Sequence, residues 1–239
     1  ISQGADSVDI ANVLKNLANN YLCMKQYNKA EDCYLQALSM YRKISQGADS
    51  VDVARTLNHL AGYYINIKQY NKAEEYYQRA LSMYRQISQG AYSVDIANTL
   101  NFLASNYFHM IQYDKAEDYY QQALSMYKQG PVSVEIAHTL NNVARNYNDM
   151  KQNDKAEKYY LRALSRFRKI SQGSYSVDIA NTLYNRGVNY KCAGNESRSR
   201  EVYRQALDIY IRLDPTNPNI QRIQNYLSSS QQRTTQTEL

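Results

Sequence analysis

The chain has 239 residues, 44% of them hydrophobic and 21% charged, with a formal net charge of +6. That is enough to bury a sizeable core, or to build a row of small units that share one. No apolar run approaches the ~18 residues of a membrane span, no basic–apolar–small leader opens the chain, and the basic residues are mixed with acids without a block or reader motif, so membrane and nucleic acid are both argued against as partners.

The chain opens at Ile1 inside a recurring phrase, ISQGAD, and so reads as a piece of something longer. Eight residues then return five times: SVDIANVL at 7–14, SVDVARTL at 50–57, SVDIANTL at 93–100, SVEIAHTL at 133–140 and SVDIANTL again at 176–183. Their opening serines, Ser7, Ser50, Ser93, Ser133 and Ser176, are spaced 43, 43, 40 and 43 residues apart. Self-similarity at such a period indicates stacked structural repeats. Each unit carries two helical stripes. In the third, Ile96, Leu100, Leu103 and Tyr107 step by four, three and four; a polar break, IQYDKAE, follows, and then Ala116, Tyr119, Tyr120, Ala123, Leu124 and Tyr127.

The opening serine of each phrase is an N-cap residue, and the acid two places on (Asp9, Asp52, Asp95, Glu135, Asp178) sits where the helix dipole is positive. Gly47, Gly90 and Gly173 mark the exits of second helices, where a positive φ is needed. The link YKQGPVSV is three residues shorter than its counterpart YRQISQGAYSV, which predicts a change of pitch between the third and fourth units beside Arg145. The fifth unit departs from the others: Arg186 takes an apolar slot, Ser199 an alanine slot, and GNESRSRE is more polar. Beyond Pro215 and Pro218, residues 218–227 read as a short capping helix with Ile220, Ile223 and Leu227 inward, and 228–239 as a polar tail without periodicity.

These units resemble tetratricopeptide repeats. Leu14, Leu17, Ala18 and Tyr21, followed by Ala30, Tyr34 and Ala37, match the family's large–large–small–aromatic and small–aromatic–small patterns, and the later units repeat them down to Leu183, Gly187, Tyr190, Tyr203 and Ala206. The family's usual closing Pro is replaced by Arg42, Arg85, Lys128 and Arg168, so the second helices are expected to run on. The longer period, with phrases such as QYDKAEDYYQQALSMY, is similar to the kinesin light chain class, although Val stands where that class writes Pro in H-P-D-V-A. The resemblance implies an all-α fold: a right-handed α-solenoid of five helix-turn-helix units plus a C-terminal capping helix, one solenoid over 1–227.

It also implies a concave groove lined by the first helices. Carried over slot by slot, the groove holds Asn12, Lys15 and Asn19; Arg55, Asn58, Gly62 and Asn66; Asn98, Asn101 and Phe108; His138, Asn141, Arg145 and Asn148; and Asn181, Tyr184 and Lys191. An amide side chain both donates and accepts, so an asparagine ladder can hold the backbone of an extended peptide. Lys15, Arg55, Arg145 and Lys191 against Asp149 leave a basic excess that favours an acidic peptide. In a chain this rich in Asn, a groove asparagine is equally an ordinary solvated residue. The function expected is a cytoplasmic protein-interaction scaffold or adaptor. The second reading is a self-assembling homo-oligomer or docking module that uses the tyrosine pairs Tyr76–Tyr77, Tyr119–Tyr120 and Tyr159–Tyr160 on the convex face, and a third is a regulatory part of a larger enzyme or signalling protein.

No nucleophile–base motif, phosphate loop or metal-ligand spacing is present, so no enzyme, cofactor or metal is expected. His109 and His138 lie too far apart along the repeat to share a metal, and His59 reads as a satisfied histidine. Cys23, Cys33 and Cys192 read as reduced buried or half-buried thiols. Asn195-Glu196-Ser197 has the form of a glycosylation sequon and Thr237-Glu238-Leu239 that of a PDZ ligand; both read as chance.

Overall fold

The computed structural model describes residues 7–130 and 134–236, with side chains in the last helix as far as 229. Among the described residues the chain is all-helical. It divides at the shortened link into two compact units, Ile1–Pro131 and Val132–Leu239. The first holds α1 (Val8–Cys23), α2 (Tyr27–Ile44), α3 (Val51–Asn66), α4 (Tyr70–Ser88), α5 (Val94–His109) and α6 (Tyr113–Tyr127). The second holds α7 (Val134–Asp149), α8 (Asn153–Ile170), α9 (Val177–Cys192), α10 (Glu196–Leu213) and α11 (Pro218–Gln236). Within each unit, consecutive helices pair as the first and second helix of a repeat.

The recurring phrase works as a helix start. The hydroxyls of Ser7, Ser93 and Ser176 accept from the backbone N–H of Ile10, Ile96 and Ile179 at 3.1, 3.4 and 3.2 Å, and Ser50 accepts from Asp52 at 3.3 Å. Ser133, the cap expected for the fourth unit, lies outside the described residues, as does the Thr237-Glu238-Leu239 terminus. The threonine of the phrase is buried in Thr56, Thr99, Thr139 and Thr182, and each donates back to the carbonyl of the acid four residues earlier, at 2.7–2.8 Å.

Small residues set the helix spacing. Ala18, Ala30 and Ala37 of the first repeat, and their counterparts Ala61, Ala73 and Ala80, are wholly inaccessible, so paired helices approach to backbone contact. Leu57, Leu60, Leu100, Leu103, Leu140 and Leu183 fill the space between, each worth about 2 kcal/mol by burial. In the fifth repeat two departures compensate each other. Gly187 replaces the alanine, and a Cβ there would meet the Tyr203 ring at 2.7 Å; Ser199 opposite donates to the Gly187 carbonyl at 2.9 Å.

The second helices run on past the family's proline position in α2, α4 and α8, but α6 stops at Tyr127 with Lys128 as its cap. Gly47, Gly90 and Gly173 have φ of 80°, 84° and 83°, as the exits require. The first-to-second helix turns need the same left-handed residue, and here four of five are not glycine: Lys25, Lys68, Ile111 and Lys151, with Gly194 in the last.

Two sequence expectations change. The C-terminal helix does not end at Leu227 but continues to Gln236. Its serines do not break it, because Ser228 and Ser229 bond back to carbonyls of the preceding turn at 2.8–3.2 Å. Ile223 is buried against the fold, while Ile220 and Leu227 are only half-buried. The cysteines are free, and Cys23 and Cys192 are exposed; only Cys33 is buried.

Candidate functional site

Within each unit the tyrosine slots tie a repeat to the one before. Tyr64 donates to Glu31 at 2.5 Å, Tyr107 to Glu74 at 2.6 Å and Tyr190 to Glu157 at 2.6 Å. Lys72 and Lys115 sit over the Tyr64 and Tyr107 rings at 5.1 and 5.2 Å. Tyr76, Tyr119 and Tyr159, expected on the convex face against the second helix, instead stack on Tyr64, Tyr107 and Tyr147 of the first helices at 5.2, 5.3 and 5.4 Å. They are half-buried, so the aromatic surface they offer to a partner is much reduced.

The expected groove asparagines are largely engaged by the protein itself. The Asn12 carbonyl accepts from the Tyr41 hydroxyl at 2.7 Å, Asn181 accepts from Tyr210 at 2.6 Å, and Asn98 accepts from Tyr127. Each bond clamps the start of a first helix to the end of its own second helix. The fourth repeat replaces this pair with His138 and Phe167, whose rings meet edge-on at 5.1 Å. Asn19 accepts from Tyr34 at 2.5 Å, and Asn58 donates to Thr99 at 2.7 Å. Asn66 bonds its own helix at the Gly62 carbonyl, 2.9 Å away. Asn141 accepts from Asn185 at 3.4 Å, and Asn148 is buried and donates to Asp149 at 3.3 Å. Where a groove asparagine gives its carbonyl to a tyrosine, its amide –NH2 is the donor left to meet a ligand.

In the first unit these residues enclose a cleft of about 380 Å³. Of the expected residues it gathers Asn19, Arg55, Asn58, Asn66 and Asn98, with Gly62. It adds Tyr34, His59, Tyr77, Tyr84, Asp95 and Phe102, while Asn12, Lys15, Asn101 and Phe108 lie outside its walls. Phe108 packs instead on Tyr113, 5.8 Å away. In the second unit Tyr184 rests on Tyr203 at 5.6 Å, and the exposed Lys191 lies over the Tyr226 ring at 5.0 Å. Arg145 is exposed.

The electrostatics are less one-sided than the first-helix cations imply. Arg55 pairs with Asp52 at 3.3 Å, and Asp95 faces the same cleft. Lys15 is buried, with its ammonium on Asn12 at 3.1 Å; burial and then the Arg55 charge lower its pKa, against the pull of Asp52. His59 stacks on Tyr34 at 6.2 Å, and burial, Lys15 and Arg55 all lower its pKa, so it stays neutral. His138 stands 3.9 Å from Asp178 in the second unit.

Asn106 and Asn189, like the fully buried Asn146 of the fourth repeat, escaped the sequence reading. Asn106 and Asn189 donate to the carbonyls of Tyr70 and Asn153 at 3.0 and 3.1 Å, pinning a first helix to the start of the preceding second helix. Their signal was present: both stand immediately before the family's tyrosine slot. Among the described residues there is no cluster of three metal-ligating side chains, and no helix is long and apolar enough to cross a membrane.

Tetratricopeptide repeat models match residues 52–129 and 135–212, and a further one matches 11–44. Among solved structures, BtubC (BKLC) from P. vanneervenii is similar with a TM-score of 0.74 and 24% identity, over 88% of this chain and 84% of that one. The nearly identical TPR-like repeats of a Podosopora anserina putative kinesin light chain align with a TM-score of 0.70 and 14% identity, over 87% and 98%. The apo form of the quorum sensor NprR from B. thuringiensis aligns at 0.68 and 17%, over 88% of this chain and 56% of that one. These likenesses are of fold. No curated protein matches the chain.

Proposed function

The chain belongs to the tetratricopeptide repeat family, and on that premise we propose that it is a non-catalytic interaction scaffold that takes an extended segment of a partner protein into the cleft of its first unit. The observation that carries this reading is the cleft itself: about 380 Å³, walled by Asn19, Asn58 and Asn98 and by the Phe102 ring. Among the described residues the amide –NH2 groups of Asn19 and Asn98 have no partner, so a peptide carbonyl satisfies them without disturbing the fold.

Charge distinguishes the two sides of the cleft. Arg55 lines its wall, partly offset by Asp52 at 3.3 Å, and favours an acidic side chain of the peptide beside it. Toward α5, Asp95 offsets that preference. The acidic character read from the first helices is therefore local to one side of this groove. Self-association through the tyrosine pairs draws less support, because those rings are engaged within the fold.

A peptide array probed with the wild-type protein and with Arg55→Glu tests this. Extended acidic peptides should bind wild type and lose binding at least about tenfold on charge reversal. Equal binding by both proteins, or binding by neither, would sink the groove reading.

A further inference from the structure

Gly62 sits inside α3, where glycine costs about 1 kcal/mol relative to alanine. Packing does not demand it. A Cβ at that position would meet a single atom within 4 Å, the Tyr77 hydroxyl at 3.8 Å. What glycine does is open a notch in the cleft wall above that hydroxyl.

The first repeat shows one group that fills this notch. Position 62 corresponds to Asn19 and Tyr77 to Tyr34, one 43-residue period earlier. There the tyrosine hydroxyl donates to the Asn19 carbonyl at 2.5 Å. In the second repeat the carboxamide is missing. Tyr77 is 3% exposed, and its hydroxyl has no hydrogen-bond partner among the described residues. Burial alone pushes its pKa upward, so it remains a neutral donor.

A second group in the same cleft lacks a partner among the described residues, with the opposite polarity. The Thr99 hydroxyl gives its one proton to the Asp95 carbonyl at 2.7 Å, so it can only accept from Asn58. Asn58 must therefore present its –NH2 to Thr99, and its carbonyl oxygen is buried with no donor. Beside these groups the Phe102 ring stacks on Tyr77 at 6.0 Å and is 43% exposed, an apolar flank for a flat group. The cleft thus holds one donor without an acceptor, one acceptor without a donor, and an aromatic face.

We propose that the Gly62 notch is a subsite for a side-chain carboxamide, Gln or Asn, of the bound peptide. The ligand's C=O accepts from Tyr77, its –NH2 donates to Asn58, and its amide plane lies along Phe102. The ligand supplies in trans the group that Asn19 supplies in cis. A carboxylate fits worse, because it brings no donor for Asn58 and meets Asp95 across the cleft. An aliphatic side chain leaves both polar groups unpaired. This inference rests on the groove reading above and adds which residue the groove selects.

The test uses three pools of nine-residue peptides, with Gln, Glu or Leu fixed at the central position and the other positions randomised. Each pool is panned against wild type, Tyr77→Phe and Gly62→Asn. Wild type should enrich the Gln pool about tenfold over the Leu pool, from two hydrogen bonds to buried groups. Tyr77→Phe removes the donor and should reduce that preference several-fold. Gly62→Asn should abolish it by filling the notch with the protein's own carboxamide, and should raise the melting temperature as Tyr77 gains a partner. Both variants are checked for native helicity by circular dichroism. Enrichment of all three pools alike, or a Gln preference that survives both substitutions, overturns the subsite and leaves the groove reading standing. No enrichment of any pool by wild type overturns both.

Discussion

The Arg186 guanidinium lies bidentate on the Glu157 carboxylate, with Nε 2.9 Å from both oxygens and an Nη 2.6 Å from one. The second, third and fourth repeats fill that slot with Leu60, Leu103 and Val143, all fully buried. The exchange is local. Glu157 already receives the Tyr190 hydroxyl at 2.6 Å, and Arg186 reaches the same hydroxyl at 3.1 Å, so one carboxylate gathers an aromatic and a cation that both come from α9.

Removing one partner should therefore cost more than removing the corresponding partner elsewhere. Glu157→Ala leaves a guanidinium that is only 18% exposed without its counter-charge, and should destabilise the second unit by about 2–3 kcal/mol. Glu31→Ala removes the acceptor of Tyr63 and Tyr64 but strands no cation, and should cost the first unit about 1 kcal/mol. Urea unfolding of the two variants checks the order. Equal losses would mean that the Arg186 pair adds nothing beyond the tyrosine bond.

Asn12 and Tyr41 provide a cleaner double-mutant cycle. Tyr41 is 2% exposed, and its hydroxyl bonds the Asn12 carbonyl at 2.7 Å. Asn12→Ala should cost about 1–2 kcal/mol, because it strands a buried hydroxyl and takes the same acceptor from the buried Lys15 ammonium. Adding Tyr41→Phe should recover part of that loss, with a coupling of about 1 kcal/mol. A coupling near zero would return Asn12 to the solvated groove residue that the sequence alone allows.

That pair also marks how far the sequence was legible. Serine caps, first-turn acids, exit glycines and the Leu–Ala–Tyr stripes could be read because each acts within a few residues, on a period the helix imposes. Asn12, Asn98 and Asn181 read as a groove ladder because polar residues on a first helix look solvated; their tyrosine partners stand 29 residues later, across the repeat. The pairing is only partly visible across repeats: the fourth has His138 with Phe167, but the second keeps Tyr84 with Arg55 in the asparagine slot. Asn106 and Asn189 were missed for the same reason, an amide being read as surface when its partner is a distant carbonyl. The helix from 228 to 236 was invisible to periodicity because its sequence, SSSQQRTTQ, has no apolar residue to mark a stripe.

Ile111 holds a left-handed backbone, φ 63°, at the α5–α6 turn, and its side chain is 72% exposed. A β-branched residue pays sterically in that region and gains nothing from burial here. Ile111→Gly should therefore stabilise the first unit by about 1 kcal/mol, after the added freedom of the unfolded chain is counted. Lys68→Gly, at the same turn one repeat earlier with φ 60°, should gain less because lysine is not β-branched. Chemical denaturation decides between them. A loss on Ile111→Gly would reveal a stabilising contact made by the exposed isoleucine.

The buried tyrosines set an upper pH limit on the fold. Burial pushes the pKa of Tyr34, Tyr63 and Tyr210 to about 12, helped at Tyr63 by the Glu31 charge beside it. Tyr64, Tyr77, Tyr84, Tyr107, Tyr160 and Tyr203 are driven higher still, with burial as the first cause in each. A free tyrosine ionises near 10, so the folded state holds these protons more tightly than the unfolded chain does. The resulting stability is fully present below pH 10 and is lost as pH rises toward 12 and beyond. Each fully buried tyrosine should remove roughly 1 kcal/mol per pH unit above 10, and both units carry several. Urea midpoints at pH 8, 9 and 11 should hold nearly level over the first interval and fall steeply over the second. A midpoint unchanged at pH 11 would mean that these hydroxyls reach solvent in the folded protein.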